Sequence, residues 1–163
     1  MGILRWANLI LGIFSALAPL AHVLELPNKL ALDGALWLDV QQHLYRGWGP
    51  FLGAPAEIGA LVTSLALLVA RRACIRTLRL TIVATIAYTG MLVVFFVFNA
   101  PVNAALNGWT ATTLPGDWAS YRLRWETGHA LAAALAVVGL VALVRAGLVE
   151  GRAGSRGQVT PGE

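Results

Sequence analysis

Four long apolar stretches dominate this chain, and each carries a polar or ionisable residue near the same end. A helix needs about 20 apolar residues to cross the hydrocarbon core, and residues 6–25, 51–70, 80–99 and 127–146 all meet that length. His22 and Glu25 close the first stretch, Glu57 lies in the opening turns of the second, Asn99 and Asn103 follow the third, and Glu126 and His129 open the fourth. Charge in or near hydrocarbon is costly, so each such residue is a candidate for function.

Composition agrees with the pattern. The chain is 58% hydrophobic and 12% charged, against about 25% charged in a soluble domain. It lacks the polar residues to cover a water-facing surface. The expectation is an all-α, four-helix transmembrane bundle forming a single domain over residues 1–150. The Gly-rich polar tail, residues 151–163, is predicted to be disordered and cytoplasmic. Net charge is +4, but the basic residues form no stripe interleaved with aromatics, so no nucleic-acid partner is expected. Cys74 is the one cysteine, which excludes an intrachain disulfide, a CxxC redox pair and a cysteine-built metal site.

Eight of the basic residues lie on one side of the spans: Arg5, Arg71, Arg72, Arg76, Arg79, Arg145, Arg152 and Arg156. Lys29, Arg46, Arg122 and Arg124 lie on the other. The positive-inside rule then predicts both termini in the cytoplasm and both long loops outside, in a multi-pass cell-membrane protein. A rival reading takes the first stretch as a cleaved signal peptide, with Ala16-Leu17-Ala18 as the small-residue site; cleavage would leave only three spans. Pro19 is expected to kink the first helix.

The loop after the first span reads as an amphipathic helix in the outer interface. Trp37, Val40, Leu44 and Trp48 recur at helical spacing, with Asp39, Gln42, His43 and Arg46 largely off that stripe. Trp109, Trp118, Tyr121 and Trp125 populate the second outer loop. These aromatics are headgroup anchors, or a lid over a substrate entrance.

His22 and Glu25 are three residues apart and share a helix face, as do Glu126 and His129 in reverse order. With Glu57, they bring three carboxylates and two imidazoles from three helices towards one end of a bundle. Such a set resembles the inward-facing Glu and Glu-x-x-His ligands of four-helix carboxylate proteins. Iron, another divalent metal, or no cofactor at all stays open, with His22, Glu25, Glu57, Glu126 and His129 as the metal ligands if one binds. The plainer alternatives are an interfacial Glu25, Glu126 as a helix-dipole partner, His22 bonded to a carbonyl and a solvated His43. Glu57 is the hardest to explain so, since its neighbours Ala54, Pro55, Ala56, Ile58 and Gly59 screen nothing. His22, His129 or Arg124 is its expected partner. No G-x-S-x-G, P-loop or dinucleotide fingerprint is present.

HVLELPNKLAL (His22 to Leu32), QQHLYRGWG (Gln41 to Gly49), the Glu57 turn, FNAPVNAAL (Phe98 to Leu106) and the stretch from Trp118 to His129 resemble the small four-span membrane proteins related to anthrone oxygenases, much of which is a domain of unknown function. The resemblance runs from about residue 5 to 147. It implies an integral membrane protein that oxidises an apolar polycyclic phenol with molecular oxygen. The positions that match are His22, Glu25, Pro27, Asn99, Pro101 and Asn103.

Two functions are therefore in view. One is an oxygenase-type membrane oxidoreductase. Its apolar substrate enters from the bilayer, His22 or His129 is the base, Glu25 or Glu57 orients it or ligates a metal, and Asn103 bonds the developing oxyanion. The other is a non-catalytic subunit of a larger complex or homo-oligomer, in contact with membrane lipids, whose polar residues tie helices together or bind a pigment or lipid. A small transporter fits four unbroken spans poorly.

Overall fold

The computed structural model describes residues 2–70 and 74–157, with side chains as far as Gly151. Every regular element among those residues is helical: α1 Gly2–Leu30, α2 Gly34–Asp39, α3 Ala54–Ala70, α4 Ile75–Val94, α5 Ala100–Leu106 and α6 Trp118–Gly157. Wide π turns at Gly49–Gly53 and Phe95–Asn99 lead into α3 and join α4 to α5, and a third at Val40–Leu44 follows α2. Four helical stretches are long and apolar enough to cross a membrane: Gly2–Leu30, Gly49–Ala70, Ile75–Leu106 and Trp118–Gly151.

Each stretch extends further at its polar end than hydropathy alone predicts. Pro19 and Pro27 both lie inside α1, which continues past them to Leu30. Its final carbonyls are taken up from outside: the Arg122 guanidinium donates to the carbonyls of Lys29 at 3.0 Å and Leu32 at 2.9 Å. Leu32 lies two residues past the helix, and the Lys29 carbonyl also accepts from the Leu32 amide at 3.3 Å, so the α6 arginine holds the turn at which α1 ends. At the other extreme α6 reaches Gly157, into the stretch expected to be a tail. Residues 158–163 and Arg71 and Arg72 of the basic turn lie outside the described residues.

Small residues set the packing. Ala16, Ala60, Ala84 and Ala136 line the core around the fully buried Tyr88. Tyr88 occupies space that two glycines leave free: a Cβ on Gly12 would stand 2.5 Å from its hydroxyl oxygen, and one on Gly139 3.0 Å from its ring. Lipid tails are as apolar as leucine, so close backbone approach replaces the hydrophobic drive between helices. The large apolar side chains, among them Val62, Ile86 and Phe96, are accordingly exposed on the outside. Along α4 the hydroxyls of Thr81, Thr85 and Thr89 each donate to the carbonyl one turn back at 2.9 Å, so these three are satisfied within their own helix.

A second cluster closes one end of the bundle. Trp37 and Leu38 are buried against Val102, Leu106 and Trp125, with Trp118 and Tyr121 packed around them. The stripe read as facing lipid is thus split. Trp37 is fully buried against protein, whereas Leu44 is exposed. The π turn at Val40–Leu44 widens the helix to an i+5 repeat, which rotates later residues off the Trp37 face. Gln42, assigned to the polar side, donates to the carbonyls of Leu106 at 2.7 Å and Trp109 at 3.0 Å.

Candidate functional site

Beneath that cap, four polar positions predicted from sequence meet at one level. The register of the helices explains why. In the antiparallel pair α1 and α6, Gly12 faces Leu140 and His22 faces His129, whose ring centroids are 4.3 Å apart. From the third span, Asn99 Nδ2 donates to the Trp125 carbonyl at 2.9 Å and lies 2.6 Å from His129 Nδ1. Gly128 makes that approach feasible, because a Cβ there would collide with the Asn99 amide and stand 2.8 Å from Phe98 Cβ.

The centre of the cluster is a buried ion pair. Lys29 Nζ donates to Glu126 Oε2 at 2.9 Å and lies 3.3 Å from His22 Nδ1. Lys29, Glu126 and His22 are 3%, 5% and 3% exposed. Charges so placed persist only when paired and hydrogen-bonded, yet Glu126 Oε1 has no partner. Glu25 stands at the rim, partly exposed, 3.7 Å from His22 Nδ1 and accepting a hydrogen bond from the Tyr45 hydroxyl. Burial first, and then that carboxylate, raises the Tyr45 phenol above its ordinary range, so it remains a proton donor.

Aromatic rings form the walls. Trp125 lies 3.9 Å from His129 and 4.7 Å from His22, centroid to centroid; Tyr45 and Trp48 lie 4.6 Å and 5.9 Å from His22. Both imidazoles engage through Nδ1, and neither Nε2 has a hydrogen-bond partner among the described residues. Asn103 supports the wall: its Oδ1 accepts from Trp125 Nε1 at 2.8 Å, which leaves its amide nitrogen to donate.

Glu57 is not in this group. Asn8 bonds to the Ala60 carbonyl and Leu11 packs on Gly59, which sets Glu57 level with Ile13 of α1. His22 is nine residues on, about 13 Å at about 1.5 Å per residue. Glu57 Oε1 is buried without a partner, and no ion pair joins Glu57 to His22, His129 or Arg124 among the described residues. Arg124 instead donates to the Val97 carbonyl. His43 is exposed and pairs with Asp39 at 3.0 Å. Among the described residues no group of three or more His, Cys, Asp or Glu is placed to hold a metal ion; the Lys29 ammonium stands between His22 and Glu126.

Lys29, Tyr45, Trp48 and Trp125 are the members that sequence reasoning assigned elsewhere, as a topology charge and as headgroup anchors. The available signal was spacing. Lys29 is seven residues beyond His22, two turns along the same helix face, provided the helix continues through Pro27. Comparison with known proteins finds no matching family model, no matching curated protein and no matching solved structure.

Proposed function

We propose that this chain is a multi-pass cell-membrane oxidoreductase, with both termini cytoplasmic, that oxidises an apolar cyclic phenol or enolisable ketone with molecular oxygen. The observation that supports this reading is the paired imidazoles of His22 and His129, walled by Trp125, Tyr45 and Trp48 and set against the Lys29–Glu126 ion pair. Aromatic walls suit an apolar ring, and a substrate reaching them would present its acidic C–H or O–H to nitrogen bases.

His129 takes the substrate proton at Nε2 in the tautomer that donates Nδ1–H to the Trp125 carbonyl, which requires the Asn99 amide, 2.6 Å from Nδ1, to turn its hydrogens away from the ring. The enolate charge is met by the Lys29 ammonium and the free amide hydrogens of Asn103. Dioxygen then attacks the carbanion carbon, and the resulting hydroperoxide loses water, so a ring CH2 and O2 become a ring C=O and H2O. The Tyr45 phenol is the proton donor nearest the rim. Glu25 and His129, the partly exposed members of the cluster, mark where a substrate dissolved in the bilayer arrives.

The test is oxygen uptake by the purified protein in detergent with an anthrone-class substrate, with and without a chelator. Uptake above the spontaneous rate, with one atom of labelled oxygen appearing in the product carbonyl, is expected. Uptake at the spontaneous rate retires the proposal. Loss of uptake on chelation moves the chemistry to a metal and away from direct base catalysis. The second reading, a non-catalytic subunit of a larger complex, is favoured by one observation: the Lys29–Glu126 pair ties α1 to α6 whether or not anything binds. Uptake absent from the isolated chain but co-purification of a stoichiometric partner would support it.

A further inference from the structure

The opposite end of the bundle holds a different kind of site. Between the first turns of α4 and the later part of α6 lies a cleft of about 730 Å³, lined by Ile75, Arg76, Arg79, Leu80, Arg145, Leu148 and Val149. Three arginines face one space, and no carboxylate is among the lining residues. None of the three forms an ion pair among the described residues; the nearby Glu150 is engaged by Arg5 at 3.0 Å. The three arginines are exposed around one open cleft, so an anion seated there would meet several guanidinium groups at once.

The rest of the lining says which anion. The cleft opens on the flank of two membrane-spanning helices, and Ile75, Leu80, Leu148 and Val149 interleave with the arginines along it. Ile75 and Arg76 of the lining are also the first two residues of α4. The first-turn amides of that 20-residue helix add positive potential at the same place. Guanidinium forks match phosphate oxygens in pairs, and basic pockets between membrane helices take anionic headgroups. Free phosphate would satisfy the arginines alone and leave the apolar part of the lining wet.

We infer that the α4–α6 cleft is a binding site for an anionic phospholipid, the phosphodiester held by Arg76, Arg79 and Arg145, its glycerol end against Leu148 and Val149, and an acyl chain leaving past Leu80. This inference stands independently of the chemistry proposed at the other end: on α6, Arg145 lies 16 residues beyond His129, about 24 Å at about 1.5 Å per residue.

Native mass spectrometry of the full chain, exchanged into detergent with equal phosphatidylglycerol and phosphatidylcholine, tests it. The protein should retain one phosphatidylglycerol with at least about tenfold preference, a difference of about 1.4 kcal/mol. The triple variant Arg76→Gln, Arg79→Gln, Arg145→Gln should lose that preference, while Arg46→Gln at the other end should keep it. Equal retention of the two lipids by the unaltered protein overturns the inference, as does undiminished preference in the triple variant. Displacement of the lipid by millimolar inorganic phosphate overturns it in favour of a free-phosphate site. The comparison of lipids on the unaltered protein decides the matter even if the triple variant does not fold.

Discussion

Two carboxylates within the spans, Glu126 and Glu57, have a buried oxygen, and they are treated in opposite ways. Glu126 is held by the Lys29 ammonium at 2.9 Å, beside an imidazole and under an aromatic cap. Glu57, about 13 Å deeper by helix rise, has a buried oxygen and no partner. What distinguishes them is whether another helix delivers a cation at the same level. Register, rather than depth, decides which buried charge is held in a network.

The largest effect expected follows from breaking the held pair on one side. Lys29→Met leaves Glu126 buried without its counter-charge and should lower stability by about 3–5 kcal/mol, read by thermal unfolding in detergent. Lys29→Met with Glu126→Leu should recover most of that loss. A double variant no better than the single one would show that the two residues act separately.

Gly128→Ala should come next. The added methyl group meets the Asn99 amide and Phe98 Cβ, so a cost of about 1–3 kcal/mol is expected, together with displacement of Asn99 from His129. An unchanged melting temperature would mean that the third and fourth spans are not packed this closely.

Glu57→Gln should change stability by less than about 1 kcal/mol, because no ion pair is lost and an amide matches the carboxyl in shape. A loss as large as that of Lys29→Met would place a cation beside Glu57 and erase the contrast between the two carboxylates.

The smallest effect concerns orientation. Cys74 is exposed, and a hydrogen bond from the Thr77 hydroxyl, foremost among the causes, lowers its thiol pKa. More thiolate is then present near neutral pH than for an ordinary cysteine. A membrane-impermeant maleimide should label Cys74 in inverted vesicles and not in intact cells, and should label it faster as pH rises. Labelling of intact cells would reverse the proposed topology.

Much of the fold was legible because it rests on one quantity, the length of apolar runs, and the spans lie where those runs are. Helix ends were less legible. They depend on partners distant in sequence, as when Arg122 caps the carbonyls of Lys29 and Leu32. The same limit shaped the site. His22, Glu25, Asn99, Asn103, Glu126 and His129 come together because their helices place them near one end, which spacing reveals. Lys29 was hidden by ending the first helix before Pro27. Glu57 was expected in the group because a residue's distance from the start of its own span says nothing about which level of the neighbouring helix it faces.

The central claim, that chemistry resides at the His22–His129 cluster and not at the isolated carboxylate, is tested most directly by oxygen-dependent turnover of an anthrone-class substrate in two variants side by side. His129→Gln should lower turnover by about 100-fold or more, the usual contribution of a positioned general base, while Glu57→Gln should leave it within about twofold. Turnover preserved in His129→Gln, or abolished in Glu57→Gln with stability intact, would contradict the account.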